Sequence, residues 1–308
     1  NSFVVISDDV DQNWEGILQG TTNNIADAVT QDKPFINVTK IHSDAFVQQA
    51  TAGGERYPEV NKAIFDAIEV GALVVNYFGH GGEDGIAAER IFDKINAQDV
   101  RNVCKLTCFV TVTCEYTKFD NPLRTTAGEF LYRNINGGAI GLITTTRQIF
   151  VSVGVAINVT LDDYLFAFGS NDYPSMAEAL RLTKNDPAVS GIAQRRLVFF
   201  IGDPAMKLAF PKPNIRLTKI NEVPITGNTD VLEALSRAKI EGEVVDASGN
   251  ILTNYNGILT ATIYDKNINR STLANDGTRD TNGQLIILDF ETLRSEEHTS
   301  ELQSHLNL

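Results

Sequence analysis

Leu73-Val74-Val75-Asn76-Tyr77-Phe78-Gly79-His80-Gly81-Gly82 and Leu106-Thr107-Cys108-Phe109-Val110-Thr111-Val112-Thr113-Cys114-Glu115 are the two stretches that decide the fold. Each opens as an apolar run of strand length and closes on a residue that can do chemistry, His80 in one and Cys114 in the other. A strand that is apolar at nearly every position is buried on both faces, which is the habit of parallel sheets covered by helices. Two such strands, with helical patterning between them, predict an α/β layer architecture.

The flanking sequence repeats this alternation. Further strands are expected at Phe3–Ile6, Phe35–Ile41, Ala139–Thr144 and Leu197–Ile201. Helices are expected at Thr21–Asp32 (in part), Tyr57–Val70, Ile95–Val100, Ala127–Asn134, Asn158–Phe168 and Ser175–Asn185. Val60, Ile64, Ala67 and Ile68 carry helical spacing behind a tolerated early Pro58, and Asn136-Gly137-Gly138 is a stop signal.

Past Pro211-Lys212-Pro213 the pattern changes to short runs at Ile215–Ile220, Ala238–Val245 and Leu259–Ile263, separated by turn residues. This predicts a small antiparallel β-sandwich, so the expected domains are 1–212 and 213–293, the second incomplete. Residues 294–304 resemble a translated sequencing adapter, and 294–308 are therefore set aside as an artefactual tail. With Asn1 directly before a strand, the chain also reads as an internal fragment.

The net charge is −13. The tail holds one Arg and three Glu, a net −2, so the remainder is still acidic at −11. An acidic, unpatterned surface argues against nucleic acid and anionic membrane as partners. No apolar run approaches the roughly 18 residues of a membrane span. Three Cys, at 104, 108 and 114, make a poor disulfide framework. With no CxxC pair and no spare His, a structural zinc site is not expected. Packing accounts for Cys104 and Cys108.

The chemistry gathers at strand ends, where open α/β sheets place their sites. Outside the tail the only histidines are His42 and His80, and His42 lacks the strand-end glycines. A Cys nucleophile needs a nearby base or cation to populate its thiolate, and His80 can supply both for Cys114. The N–H of Gly81 or Gly82, paired with that of Cys114, would form an oxyanion hole. Glu115 is a pocket or structural residue rather than a base. Arg147, at another strand end, either binds a substrate carboxylate or pairs with an acidic loop.

The wording around these residues is more specific. A strand-His-Gly followed by a strand-Cys resembles the clan of caspases, legumains, clostripains and gingipains. Asn76–Gly85 resembles the His motif of the gingipain family (C25), and Thr111–Pro122 resembles the Cys motif of its PorU-type branch. Ala127-Gly128-Glu129, Gly137–Ile140, Thr144–Arg147 and Ile201–Leu208 continue the likeness, which spans residues 1 to about 210. The resemblance implies a caspase/gingipain-like sheet followed by an immunoglobulin-like domain, to which Tyr255-Asn256-Gly257 and Tyr264-Asp265-Lys266 are similar.

It also implies a role: a sortase of the type IX secretion system at the cell surface of a Bacteroidetes-type bacterium. Such an enzyme cleaves C-terminal signal domains from secreted cargo through a thioester, and a PorV-like outer-membrane barrel is its partner. In the family an acid near the first strand orients the His; Asp9 in Ser7-Asp8-Asp9-Val10-Asp11 aligns with it, the other reading of this cluster being a solvated loop or a cation site. No cofactor is expected, with a structural calcium left unassigned. The alternatives are a hydrolytic gingipain-like endopeptidase and a non-enzymatic surface scaffold.

Overall fold

The computed structural model describes residues 2–211, 214–225, 237–246, 248–255 and 267–292. These form two compact units. The first holds the described residues up to Ala209 together with those from 267 to 292, and the second holds those between Phe210 and Tyr255.

The first unit is built on a six-stranded sheet. In chain order its strands are β1 (Ser2–Ser7), β2 (Asn37–His42), β3 (Val74–Phe78), β4 (Thr107–Thr111), β5 (Ala139–Thr145) and β6 (Val198–Ile201). Their order across the sheet is β6-β5-β4-β3-β1-β2. All pairs are parallel except β5 with β6. The mainly parallel α/β architecture is therefore as expected, and the two strands that predicted it, β3 and β4, are buried throughout at the centre of the sheet.

Alternate residues of the strands serve two helical layers. Val4, Ile6, Val75, Tyr77 and Phe109 share a core with Val60, Ile64 and Ile68 of α2 (Pro58–Val70), Ala97 of α3 (Lys94–Asp99) and Leu131 of α4 (Ala127–Arg133). On the other face Phe78 packs against Gly154, and Asn76 donates to Asp162, both on α5 (Val151–Leu165). There α5 packs with α1 (Gly16–Asp32) and α6 (Met176–Asn185).

Two helices begin earlier than the sequence reading places them. The start of α5, Val-Ser-Val-Gly-Val-Ala-Ile, is rich in β-branched residues and contains Gly154, so its local propensity is poor. Tertiary packing overrides this, because a Cβ at Gly154 would collide with the Phe78 ring. In the same way α1 extends back to Gly16, which leaves Glu15 at its N-terminal boundary.

In the second unit Asn214–Ile220, Val223–Pro224 and Ile240–Val245 form a three-stranded antiparallel sheet. The tight turn at Asn221 and Glu222, both with positive φ, sets its hairpin. The expected strand Leu259–Ile263 and the tail from 294 lie outside the described residues. Residues 267–292, assigned by the sequence reading to the β domain, belong to the first unit. There Ile268–Ser271 pairs with Asp289–Thr292, and Phe290 packs edge-on against His42. Among the described residues no helix is long and apolar enough to cross a membrane.

Candidate active site

Register brings the two predicted residues together. In the parallel β3–β4 pair Tyr77 stands opposite Thr111, so three residues further on His80 and Cys114 reach matching places past the strand ends. Both line one small cavity of about 60 Å³, whose wall is otherwise apolar apart from Gly79 and Thr113: Leu18, Phe78, Val112, Ile149, Phe150 and Val151.

The backbone of His80 is fixed on both sides. Its N–H donates to Asp8 Oδ2 at 2.6 Å, and its carbonyl accepts from Tyr77 Oη at 2.6 Å. One residue earlier, the Gly79 carbonyl accepts from Thr113 Oγ1 at 2.5 Å, which ties the His loop to the Cys strand. The approach is so close that a Cβ at Gly79 would overlap Tyr77 Oη and Asp8, and one at Gly81 would meet Thr113 Cγ2 at 2.6 Å. Gly81 also pairs with Ile86 in a short ladder beyond the strand.

The ring is held as well. His80 Nε2 lies 2.8 Å from Oε1 of Glu15, whose side chain is 1% exposed against 47% for His80. The bond to Glu15 raises the His80 pKa above its ordinary value; burial opposes this, and the charge of Asp8 adds to it. Trp14 stands edge-on to the ring, with centroids 5.9 Å apart.

Asp9 does not take the role the sequence reading gave it. Its Oδ2 accepts from Tyr57 Oη at 2.9 Å and from Gln48 Nε2 at 3.4 Å, so the carboxylate points away into the fold. Glu15 holds the ring and Asp8 holds the backbone. Four acids lie between residues 8 and 15, and no periodicity chooses among them. The usable signal was an acid placed just before a helix.

Cys114 is half-buried, and its Sγ faces the Ile149 carbonyl at 3.9 Å. Next to it, Glu115 sits at φ 53°, a left-handed conformation that non-glycine residues adopt mainly where the fold enforces it. Its N–H donates to the Arg147 carbonyl at 3.4 Å. The Glu115 carboxylate pairs with Lys118 at 3.0 Å, and Lys118 also reaches Glu83 at 3.4 Å. Arg147 forms a two-pronged pair with Asp120, at 2.9 and 2.6 Å, which is the second of its two expected roles.

The remaining candidates stand apart. His42 is buried, bonded through Nδ1 to Ser7 Oγ, and desolvation lowers its pKa to about 3. Cys108 is buried, and burial pushes its thiol up to about 12. Cys104, expected to be packed, is instead exposed on a turn at φ 66°.

Two carboxylate groups have spacing suited to a hard cation. Asp8, Asp9 and Glu89, all buried, bring ligand oxygens within 4.8 Å of one another, as do Asp9, Asp11 and Asp276. Burial raises the Asp8 and Asp9 carboxyls above the ordinary range and holds Glu89 at about 7. Protonation is one relief for this crowding and a bound cation is another.

The family model for peptidase family C25 matches residues 1–209. The chain belongs to that family. Its fold is similar to that of the complex of the pro- and mature domains of Porphyromonas gingivalis RgpB, at 16% identity and a TM-score of 0.52, over 71% of this chain and 52% of that one. The Arg-specific cysteine proteinase gingipain R gives 16% identity and a TM-score of 0.53 over 71% and 50%. A third structure, described as a protease, gives 12% and 0.52 over 95% and 67%. The chain thus spans about half the length of the gingipain chains it matches. No curated protein matches it. The first unit is accordingly a C25 domain with the gingipain fold.

Proposed function

We propose that this C25 domain is a cysteine peptidase in which Cys114 is the nucleophile and His80 its proton partner. The observation that carries the reading is the shared cavity of the two residues, with His80 Nε2 already engaged by buried Glu15. That engagement leaves Nδ1 for the reaction. Cys114 gives its proton to His80, and the thiolate adds to the scissile carbonyl. The N–H groups of Gly81 and Cys114 stabilise the oxyanion. Collapse of the adduct forms a thioester and expels the amine, which takes the proton from the imidazolium. Glu15 is a positioning residue that favours the imidazolium.

The wording Thr111–Pro122 favours the sortase branch over plain hydrolysis. In that reading an acceptor amine, rather than water, attacks the thioester. The substrates are then secreted proteins with C-terminal signal domains, handled at the outer surface beside a PorV-like barrel. The following β unit is read as the immunoglobulin-like domain of such an enzyme.

The test is alkylation by iodoacetamide across pH in wild type and His80→Ala. Selective labelling of Cys114 near neutrality, suppressed in the variant, is the expected result. Equal labelling of all three Cys regardless of His80 rejects the pair. Mass analysis of cleaved substrate with a primary amine present then separates the branches, since an amide product marks the sortase and a free acid marks the hydrolase.

A further inference from the structure

We infer that the cavity beneath His80 and Cys114 receives the side chain on the acyl side of the scissile bond, and that it selects an uncharged, apolar side chain. The inference rests on the peptidase reading and adds a substrate class to it.

The lining carries the argument. Leu18 of α1, Phe78 at the end of β3 and Val112 just before the Cys are all buried and apolar. Half-buried Ile149 and Val151, with exposed Phe150, line the other side at the start of α5. Apart from His80 and Cys114 themselves, no ionisable side chain lines the cavity. A cavity of about 60 Å³ with this lining takes an aliphatic side chain in contact with it and offers a charged head group no carboxylate partner.

The charges around the pair are committed or lie off the lining: Glu15 and Asp8 are bonded to His80, Glu115 and Glu83 share Lys118, Asp120 holds Arg147 in two hydrogen bonds, and Asp11, which also acts on His80, is exposed and does not line the cavity. A guanidinium pushed into this lining would lose its hydration without gaining a carboxylate, which is among the most costly transfers in a protein. The chain therefore parts from the gingipain it resembles, which is described as Arg-specific.

The experiment uses peptidyl acyloxymethyl ketones that differ only in the residue beside the reactive carbon: alanine, valine or arginine. Cys114 modification is followed by intact mass. The alanine and valine probes are expected to react faster than the arginine probe by on the order of 100-fold, the scale of pocket-based discrimination. Val151→Asp places a carboxylate at the cavity wall, at a helix start where an acid is tolerated. It should narrow that ratio at least about tenfold, a factor that corresponds to one well-placed charge pair. An arginine probe that reacts as fast as alanine in wild type, or a ratio unmoved by Val151→Asp, overturns the inference. His80-dependent iodoacetamide labelling in the same sample shows which reading has failed. If that labelling persists, only the subsite assignment falls; if it is absent and no probe reacts, the peptidase reading falls and takes the inference with it.

Discussion

Glu15 Oε1 stands 2.8 Å from His80 Nε2, a carboxylate almost wholly withdrawn from water holding an imidazole that is half in it. The pairing sets the sign of a pH effect. Glu15 raises the His80 pKa, so it prolongs the imidazolium as pH rises. In a thiolate–imidazolium enzyme the alkaline limb of kcat/KM reports loss of that proton. Glu15→Gln keeps a hydrogen-bonding group but removes the charge, and the alkaline limb should move to lower pH. Asp9→Asn should leave it in place, because Asp9 is bonded to Tyr57 and Gln48. If the two variants shift the limb alike, Glu15 has no special role.

Gly79 and Gly82 are separated by two residues yet differ in what surrounds them. A Cβ at Gly79 would overlap Tyr77 Oη and Asp8, whereas at Gly82 nothing lies within 4 Å. Overpacking a fixed site typically costs about 1–3 kcal/mol, and open-surface changes stay within about 0.5 kcal/mol. Gly79→Ala should therefore lower the urea midpoint clearly while Gly82→Ala does not. Similar midpoints for the two would mean that the His loop yields freely.

The buried carboxylates Asp8, Asp9 and Glu89 give a second pH dependence of opposite origin. Their carboxyls sit above the ordinary range when folded, so between that range and about 7 the native state binds more protons than the unfolded one. Stability contributed by these groups is then fully present near pH 4 and is lost as pH rises through about 7 and beyond. Thermal melts from pH 5 to 8 should show Tm falling, and Asp9→Asn should flatten the fall. A slope identical in wild type and variant would show that the cluster does not titrate. Millimolar calcium in the same series tests the cation expectation: a rise in Tm at pH 8, abolished by Asp9→Asn, supports a bound ion, and an unchanged Tm rejects it.

The central fold was readable because β3 and β4 announce themselves. A run such as Leu73–Phe78 has only one comfortable place, the middle of a covered sheet, and that placement puts whatever follows it at the functional edge. The placement of His80 and Cys114 at one edge of the sheet was legible for the same reason. Glu15 was not, since it lies beyond a strand-to-helix loop whose path depends on tertiary contacts, and Asp9, nearer the strand, is the acid that aligns with the family's motif. Cys104 misled in the opposite way: three residues from a buried strand, it turns outward because the chain there is left-handed. The return of residues 267–292 to the first unit had no local signature, since it depends on hydrogen bonds to a distant Asp44 and on the packing of Phe290 against His42.

Those distant bonds lead to a final prediction. Asn275 Nδ2 donates to Asp44 Oδ1 and to the Phe46 carbonyl, each at 2.9 Å, and its N–H reaches the same Asp44 oxygen at 2.9 Å. Three residues on, Thr278 Oγ1 donates to the Asp11 carbonyl at 3.2 Å, in the loop that carries Asp8 and leads to Glu15. The segment thus braces the loop that positions His80. Asp44 is buried, so deleting the Asn275 side chain strips a partner from a group that water cannot easily reach. A hydrogen bond to such a group is worth about 1.5–3 kcal/mol. Asn275→Ala should destabilise by that order, and amide exchange in residues 8–15 should accelerate while exchange in β4 is unchanged. Loss of stability with no change in exchange at residues 8–15 would confine Asn275 to local packing. Faster exchange there, together with a lowered alkaline limb of kcat/KM, would show that the brace acts on His80 through Glu15.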